Sequence, residues 1–522
     1  MDIFHILSFI GGLSLFLFGM SYMGKSLERR AGSKLKNIVN KLTKNRFLGL
    51  LIGTVVTAII QSSSATTVLV VGLVNSGIMT LGQSIFVIMG ANIGTTITSW
   101  ILSLSGISSS NVFIKLLKPS SFTPILALIG IILLMFFKSE KKKETGSILL
   151  GFAVLMFGME TMSSSVGVLK DVGWFKNTFL LFDSNPLLGV LAGLFVTAII
   201  QSSSASIGIL QAFATTGQIT FGAAIPIILG QNIGTCVTSM ISSIGANKNA
   251  KRASMVHLLF NVIGTILFLF AYLILKYLIS PAILGESATL LGIAIFHTVF
   301  NVASVLIMIP FGNLLEKLVM IIVREQKESS LSLLDERLLE TPSIALDQTR
   351  KVLKLMIDAV NTSLILTFGK VNNLDEVQKY EDKSDEFEDI ISTYLLKLSS
   401  KKIDENDTMT TAFYLKMIND YERIADYAVN IARIKQNMES DDLKLSKAAQ
   451  MELNQLIELV NEMWQTTNYV VESDKVNDAY KSLALDKVIL KVSENIRTNH
   501  IRRLQEGKCS FKTGINMLEI IK

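Results

Sequence analysis

The chain has 522 residues and a formal net charge of +6, and its charged side chains are unevenly distributed. Residues 1–325 carry 32 of them and the remaining 197 residues carry 60, which predicts an apolar membrane part followed by a soluble part. The basic excess lies between apolar runs, as the positive-inside rule requires, and so argues against nucleic-acid binding. The two cysteines lie one in each part, which argues against a disulfide framework.

The first predicted element is the apolar run Ile3–Met23, which lacks a preceding basic flank and a small-residue cleavage site. We therefore expect a retained membrane helix and not a removed signal. Further apolar stretches lie at about 47–74, 81–105, 119–137, 187–215, 254–279 and 288–311.

Basic clusters at 25–46, 138–143 and 248–252 indicate which ends of these stretches face the cytoplasm. Three apolar stretches separate the first two clusters, and three crossings would place the clusters on opposite sides. One stretch must therefore enter and leave by the same face. The best candidate is 47–74, because its polar centre at 61–67 leaves two arms that are each shorter than the ~20 residues of a spanning helix.

A duplication runs through the membrane part. Thr57-Ala-Ile-Ile-Gln-Ser-Ser-Ser-Ala65 returns unchanged as Thr197-Ala-Ile-Ile-Gln-Ser-Ser-Ser-Ala205, at an offset of 140. The same offset relates Gly90-Ala-Asn-Ile-Gly-Thr95 to Gly230-Gln-Asn-Ile-Gly-Thr235. Two motifs held in one register through unlike sequence indicate an internal repeat.

Charge counting makes the two copies run in opposite directions. The same argument makes 187–215 re-entrant from the outer side, so copy one (about 1–110) begins outside-to-inside and copy two (about 146–250) inside-to-outside. Such inverted repeats are typical of secondary carriers with a midplane site. With two further helices at 254–311, they form a membrane domain over 1–315. The predicted fold is therefore all-α: a polytopic membrane protein with inverted-topology repeats and two re-entrant helical hairpins, then a soluble helical bundle.

The Gln-Ser-Ser-Ser segments predict broken helices that face something polar, because unpaired backbone groups are costly in hydrocarbon. Hydroxyls that bond back to their own helix are the alternative interpretation. Freed N–H groups favour an anion, and freed carbonyls with hydroxyls suit a hard cation. The spans offer no chain of acidic and histidine side chains for protons, so sodium is the expected coupling ion.

The second motif predicts a second helix break in each copy, since Gly permits unwinding while Asn and Thr supply oxygen ligands. His257 and His297 each begin a His-x-x-Phe-Asn pattern. They leave a proton role open beside the interpretation of a hydrogen-bonded packing histidine. A serine protease is disfavoured because the duplicated serines lack a Gly-x-Ser-x-Gly element and imply a symmetric site. We therefore do not expect an enzyme.

The paired motifs resemble the type II sodium-dependent phosphate cotransporter family over roughly residues 1–315. The second copy departs from the first by reading Ser-Ala-Ser206 where the first reads Ser-Ala-Thr-Thr67. The resemblance implies a sodium and phosphate site made by Gln61, Ser62, Ser63, Ser64 and Thr66 with Gln201, Ser202, Ser203, Ser204 and Ser206, supported by Asn92, Thr95, Asn232 and Thr235.

Beyond a linker at 316–342, whose residues 326–340 are expected to be a polar connector, Thr341-Pro342 is a typical helix start. Long amphipathic patterns over 343–522 predict an antiparallel bundle in the cytoplasm, with helices near 343–371, 374–402, 408–437, 444–473 and 476–506. Two carboxylate pairs stand at i and i+4, each on one helix face: Glu381 with Asp385, and Glu422 with Asp426. A solvated acidic face is the alternative to a metal site.

The run Tyr421–Ala432 is similar to the PhoU-like phosphate-regulator family, and 334–345 resembles the connector before such domains. The resemblance implies two three-helix bundles whose acidic pairs can hold a divalent metal ion. In the second half Lys487 and Lys491 replace the first acidic pair, and the chain ends at Lys522 where a second Glu-Arg-x-x-Asp would begin. That half is expected to be incomplete or completed by another subunit.

The sequence thus predicts a multi-pass protein of the cytoplasmic membrane that moves inorganic phosphate with sodium ions. Export, another oxyanion, or a phosphate sensor that signals through the soluble domain are the open alternatives, as is a homo-oligomer.

Overall fold

The computed structural model describes residues 2–40, 45–107, 118–324, 334–369, 373–401, 403–473 and 479–522, with only the backbone at 31–40, 472 and 473. The chain forms two compact units, Met1–Ala345 and Leu346–Lys522. Helices make up almost all of the described ranges, which confirms the all-α prediction.

Copy one of the repeat, which contains the first hairpin, and the helix that follows it begin the first unit. The helices are α1 (Ile3–Asn40), α2 (Arg46–Ile60), α3 (Ser63–Asn75), α4 (Leu81–Ser103) and α5 (Pro119–Phe136). Residues 108–117, between α4 and α5, lie outside the described ranges.

Copy two follows in the same order, with one additional short helix before its hairpin. Its helices are α6 (Glu140–Val166), α7 (Gly173–Ser184), α8 (Pro186–Ile200), α9 (Ser203–Ala214), α10 (Phe221–Gly234) and α11 (Cys236–Ser242). The unit continues with α12 (Lys248–Ile274), α13 (Leu290–Met308) and α14 (Gly312–Ile322).

Within the described residues, seven helical segments are long and apolar enough to cross a membrane, or eight if the pair α7–α8, bent by 113°, counts as one span. The spans are Ile3–Arg30, Leu81–Gly106, Pro119–Phe136, Glu140–Asp171, Phe221–Ser242, Lys248–Ile279 and Leu290–Ile322. Helices α2, α3 and α9 are apolar but shorter, with 15, 13 and 12 residues. The prediction of a polytopic membrane protein is confirmed.

Glycines bring the long helix of each copy against the first arm of its hairpin. A Cβ atom at Gly53 of α2 would lie 2.0 Å from the Val87 carbonyl oxygen of α4, and one at Gly90 would lie 2.0 Å from the Leu50 carbonyl oxygen. In copy two, the Cβ at Gly193 would lie 2.0 Å from the Ile227 carbonyl oxygen. Only glycine allows backbones to approach this closely, as in small-residue membrane interfaces.

The first helices of the two copies, α1 and α6, pack on each other through equivalent glycines. A Cβ at Gly19 would lie 2.7 Å from the Gly151 carbonyl oxygen, and a Cβ at Gly158 would lie 2.7 Å from that of Gly12. Gly12 and Gly151 are equivalent at an offset of 139, as are Gly19 and Gly158. Each copy therefore offers the other the same surface, the reciprocal contact that a two-fold relation produces.

The connector is less polar in its surroundings than its sequence suggests. Residues 325–333 lie outside the described ranges, but Asp335 is 3% exposed and Leu338 is fully buried. Asp335 accepts a 2.7 Å hydrogen bond from the Asn75 side chain at the end of α3, and Leu338 packs over Gly72. The prediction of a polar connector over 326–340 is therefore wrong for its last residues, because they pack against α3.

The second unit is a helical bundle with a buried aliphatic core. Its helices are α15 (Pro342–Phe368), α16 (Leu374–Ser399), α17 (Glu405–Ser440), α18 (Lys447–Ser473), α19 (Ala479–Gln505) and α20 (Phe511–Ile521). The sequence patterns locate the first five to within a few residues and miss α20. Buried Met517 and Ile521 of α20 pack with Leu456 and Ile496.

Candidate functional site

The tip of the first hairpin is a sharp break set by one glutamine and one serine. Helix α2 ends at Ile60, and Gln61 takes left-handed torsions of φ 60° and ψ 24°. Its N–H still donates to the Thr57 carbonyl at 2.7 Å. Ser62 is extended and caps α3 by accepting from the Ala65 N–H at 3.1 Å. A left-handed non-glycine residue costs about 1–2 kcal/mol, so the surrounding structure must hold this turn in place.

The second tip repeats that geometry. Gln201 has φ 58° and ψ 24°, its N–H donates to the Thr197 carbonyl at 2.7 Å, and Ser202 caps α9 by accepting from Ala205 at 3.2 Å. Both tips therefore confirm the predicted helix breaks at the Gln-Ser-Ser-Ser segments. Identical sequence therefore gives nearly identical torsions at the two tips.

A hydroxyl pair fastens the two arms of each hairpin. The Thr57 hydroxyl donates to Thr66 Oγ1 at 3.0 Å, and the Thr197 hydroxyl donates to Ser206 Oγ at 2.8 Å. The departure of copy two at Ser206 therefore keeps the hydroxyl that the fold uses. The second departure does not, since Thr67 donates to the Ser63 carbonyl at 2.6 Å where copy two has a buried Ile207.

The two tips touch each other. The Ser64 hydroxyl of copy one donates to the Gln201 carbonyl at 3.3 Å. The Ser204 hydroxyl of copy two donates to Thr98 Oγ1 at 3.3 Å, and Thr98 in turn donates to the Gln61 side-chain oxygen at 3.0 Å. A continuous chain of neutral hydroxyl, amide and carbonyl groups thus links both copies, and the N-termini of α3 and α9 open onto it. Helix N-termini attract anions.

The second motif does not break the helix in copy one. Helix α4 runs unbroken through Asn92 and Thr95, and Thr95 donates to the Ala91 carbonyl of its own helix at 3.1 Å. The prediction of a break there is wrong, because its glycines serve close packing against α2 and not unwinding. In copy two the helix ends at Gly234 and resumes at Cys236, yet Thr235 keeps right-handed torsions.

The polar side chains of the second motif are buried, and most of them bond to carbonyls of the helix that carries them. Asn232 donates to the Ile228 carbonyl at 2.9 Å and Thr235 to the Gln231 carbonyl at 3.0 Å. Asn92 is 4% exposed, and its side-chain nitrogen has no hydrogen-bond partner in the structure. Of this group, Asn92 alone keeps an uncommitted buried donor.

Thr98 and Thr238 are tip contacts that the motifs did not single out. Thr238 donates to the Gln201 carbonyl at 3.5 Å, the weaker counterpart of the bond from Thr98 to Gln61. The two threonines are related by the same offset of 140 and follow the second motif by three residues. Extending the repeat past the glycines would have found them.

The predicted carboxylate pairs of the soluble unit do come together. Burial and the neighbouring Asp385 raise the pKa of Glu381 to about 7, with further contributions from hydrogen bonds to Asp382 and Asp426. Burial and Asp426 raise the pKa of both Asp385 and Glu422. Helices α16 and α17 therefore gather these acids on one face, where their charges repel.

The carboxylates of these acids offer oxygen ligands, which are the ligands that Mg²⁺, Mn²⁺ and Ca²⁺ prefer. Across the described ranges, however, no group of three or more His, Cys, Asp or Glu is arranged to hold a metal ion. The Gln378 amide instead donates to Glu381 at 2.5 Å and to Asp382 at 3.2 Å. The side chains are gathered without coordinating geometry.

Comparison with known protein families gives a match for each of the two parts of the chain. The Na+/Pi-cotransporter family model matches residues 15–164 and 172–298, and the PhoU domain model matches residues 347–434. The chain is 36% identical over 132 residues to the human sodium-dependent phosphate transport protein 2B, covering 23% of this chain and 19% of that protein.

Two bacterial relatives match over longer stretches. The Escherichia coli K12 protein named "Putative inorganic phosphate export protein YjbB" is 23% identical over 437 residues, which are 82% of this chain and 76% of that protein. The Bacillus subtilis protein YqeW, which is uncharacterized, is 30% identical over 321 residues, 61% of this chain and 98% of YqeW. No solved structure gives a significant match. The chain belongs to the Na+/Pi-cotransporter family and carries a C-terminal PhoU domain.

Proposed function

We propose that this protein carries inorganic phosphate across the cytoplasmic membrane together with sodium ions that move down their gradient, at a site between the two hairpin tips. The supporting observation is the direct contact of the tips, from the Ser64 hydroxyl to the Gln201 carbonyl at 3.3 Å. Duplicated broken helices that meet in this way are the usual place for substrate and coupling ion in inverted-repeat carriers.

The chemistry of the tips suits both ligands. The first N–H groups of α3 and α9 have no partner within their helices and favour an anion such as phosphate. The carbonyl oxygens freed at Gln61 and Gln201, with the hydroxyls of Ser64, Thr98 and Ser204, suit a small hard cation. Cavities of about 620 and 270 Å³ lie elsewhere, one beside Lys276 and one beside Arg46, and neither includes the tips.

We assign Gln61, Ser62, Ser63, Ser64 and Thr66 and their counterparts Gln201 to Ser204 and Ser206 to this site. Asn92, Thr95, Asn232 and Thr235 are supporting residues in the helices behind it. The domains we propose are a membrane domain at 1–315, a linker at 316–342 and a PhoU-like domain at 343–522.

Radiolabelled phosphate flux in proteoliposomes tests the proposal. Purified protein should move phosphate under a sodium gradient and should stop when potassium or choline replaces sodium. Flux that ignores sodium would contradict the coupling. Phosphate binding without flux would favour a sensor that reports to the soluble domain.

The direction of net phosphate transport is open between uptake and export. Export is the alternative that the name of the YjbB relatives favours. Everted membrane vesicles, whose cytoplasmic face points outward, and right-side-out vesicles measure the two directions under the same phosphate and sodium gradients. Phosphate uptake into everted vesicles only, relative to vesicles without the protein, would support an exporter. Competition by arsenate or sulfate tests other oxyanions.

The re-entrant hairpins and the cytoplasmic position of the soluble domain are also proposals. Helices of 15 and 13 residues on either side of Gln61 are each too short to cross ~30 Å of hydrocarbon. Cysteines at Lys142 and Lys248, in a background without Cys236 and Cys509, should react with an impermeant maleimide from the same side. Reaction from opposite sides would contradict the hairpin topology. The side chain of Lys36, in the first basic cluster, lies outside the part of the chain that the structure describes.

For the PhoU-like domain we propose phosphate-dependent regulation, with Glu381, Asp385, Glu422 and Asp426 as candidate ligands of a divalent ion. A ligand that binds only the folded state raises its melting temperature. The fluorescence of Trp464, followed in a Trp100→Phe/Trp174→Phe background, reports on this domain alone. Mg²⁺, Mn²⁺ or Ca²⁺ should raise its melting point in the parent and not in Asp385→Asn/Asp426→Asn. Melting that ignores all three ions would leave a solvated acidic face.

A further inference from the structure

The two His-x-x-Phe-Asn patterns lie on α12 and α13, outside the hairpins, and their contacts extend the repeat. His257 and His297 are each 1% exposed. His257 Nδ1 lies 3.1 Å from Ser239 Oγ, and His297 Nδ1 lies 3.4 Å from Ser99 Oγ. Ser99 and Ser239 are equivalent at the offset of 140, so equivalent histidines bind equivalent serines.

The two helices also share their internal arrangement. Asn261 donates to the His257 carbonyl at 3.0 Å, and Asn301 donates to the His297 carbonyl at 2.9 Å. A Cβ at Gly264 would lie 3.1 Å from the Ser304 hydroxyl, and these two positions are equivalent at the offset of 40 that relates the histidines. Each copy of the repeat is therefore extended by one more helix. The histidine of α13 binds a serine of copy one, and the histidine of α12 binds the equivalent serine of copy two.

The direction of these hydrogen bonds follows from donor counting. The Ser239 hydroxyl donates to the Cys236 carbonyl at 2.9 Å, and the Ser99 hydroxyl donates to the Thr96 carbonyl at 2.6 Å. Each serine has then spent its single proton and can only accept from the imidazole. Both histidines consequently act as donors through Nδ1–H.

The serines stand next to the tip contacts. Ser99 follows Thr98, which binds the Gln61 side chain, and Ser239 follows Thr238, which binds the Gln201 carbonyl. We infer that His257 and His297 are positioning residues for transport: each fixes a serine and thereby the rotation of the helix that presents Thr238 or Thr98 to its hairpin tip. The inference rests on the proposed transport site between the tips.

Asparagine and glutamine substitutions separate positioning from simple packing. The amide nitrogen of Asn can occupy the place of His Nδ1, whereas that of Gln lies near the place of Nε2. His297→Gln should raise the KM for phosphate about fivefold or more, the effect of one lost buried hydrogen bond, while His297→Asn stays within about twofold. His257→Gln and His257→Asn should behave in the same way.

Thr298→Ala is the matched control, because the Trp100 indole donates to Thr298 at 2.8 Å between the same two helices on their exposed side. It should leave the KM unchanged. Ser99→Ala should reproduce the Gln effect, and the double variant Ser99→Ala/His297→Gln should be no worse than either single change.

Equal impairment by Asn and Gln, or an unchanged KM in His297→Gln, would overturn the inference. Should His297→Gln fail to fold, as judged by its elution and melting in detergent, an unchanged KM in Ser99→Ala overturns it equally well. A parent protein without sodium-driven flux would instead contradict the proposed function, so the two failures are distinguishable.

Discussion

The two hairpin tips have the same nine-residue sequence and nearly the same torsions, yet their glutamines are placed differently. The Gln61 side chain is 7% exposed, donates to the Ala58 carbonyl at 2.5 Å and accepts from Thr98 at 3.0 Å. The Gln201 side chain is exposed. Local sequence therefore determines the break, and the surrounding helices determine how accessible each tip is.

For a carrier this difference is informative. A protein that exposes its site to one side at a time cannot keep both halves in the same environment, even when their sequences agree. The asymmetry of Gln61 and Gln201 is what one end state of such a cycle would show. In the opposite state the exposures should be exchanged.

The largest effect should come from the glycines that both copies share. Gly53→Ala and Gly193→Ala each place a Cβ 2.0 Å from a carbonyl oxygen of the facing helix, so the helices must separate. We expect a destabilisation of about 3 kcal/mol or more, since the obstruction is backbone. Melting in detergent and the yield of monodisperse protein measure it.

Gly11→Ala is the matched control, because nothing lies within 4 Å of its added Cβ. It should melt at or slightly above the parent temperature. Two glycine variants that melt like this control would show that the close approach of the helices is not required.

Removal of the tip glutamines should abolish transport while the fold survives. Gln61→Ala and Gln201→Ala delete the amide and keep a residue with a Cβ in the left-handed turn, so backbone strain changes little. Gln61→Ala loses the buried side-chain acceptor of Thr98, worth about 1–3 kcal/mol, whereas Gln201→Ala removes an exposed amide at the proposed site. Phosphate flux in proteoliposomes should fall to background in both.

Gln61→Gly sharpens this test, because glycine relieves the cost of the left-handed turn. It should melt no lower than Gln61→Ala and should be equally inactive. Flux retained in both alanine variants would place the site elsewhere.

The different exposure of the tips can be measured directly. In a background lacking Cys236 and Cys509, Gln201→Cys should react with a soluble maleimide several times faster than Gln61→Cys in the absence of phosphate. Mass spectrometry of labelled protein gives the two rates. Sodium with phosphate should narrow or reverse the ratio. Equal rates in every condition would contradict the assignment of the asymmetry to a transport state.

The two halves of the soluble unit can be compared as well. The first half has acidic side chains on α16 where the second half has Lys487 and Lys491 on α19. The expected effect, a change of stability with pH, is the smallest of those predicted here. The pKa of Glu381 is raised from its usual 4.5 to about 7 by burial and by Asp385, so folding favours the protonated carboxyl. Its contribution to stability is complete below pH 4.5 and is lost as the pH rises to about 7.

Melting of the Trp464 signal should therefore fall over that range without divalent ions, and less so in Glu381→Gln. Glu386→Gln, exposed on the same helix, should keep the full slope. A parent slope indistinguishable from that of Glu381→Gln would show that the acids do not interact.

A structural feature can be predicted from the sequence when neighbouring residues in the chain determine it, and not when residues from another helix do. The breaks at Gln61 and Gln201 were predictable because identical polar segments interrupt apolar helices. The second break was not, since Gly90 and Gly94 look the same whether they unwind a helix or admit a neighbouring backbone. The asymmetry of the tips and the burial of Asp335 depend on tertiary contacts that have no local pattern.

The hydrogen bond from Ser64 to the Gln201 carbonyl makes each tip part of the other's surroundings. A change in one copy would disturb both, so after the duplication the two tips could not drift independently. Helices that face only lipid were under no such constraint. The continuous identity between the copies at this place runs from Val56 to Ala65, relaxes to Thr66 against Ser206, and is lost at Thr67 against Ile207. The duplication can still be recognised in the sequence where the two halves touch and where glycines bring the helices of one copy together.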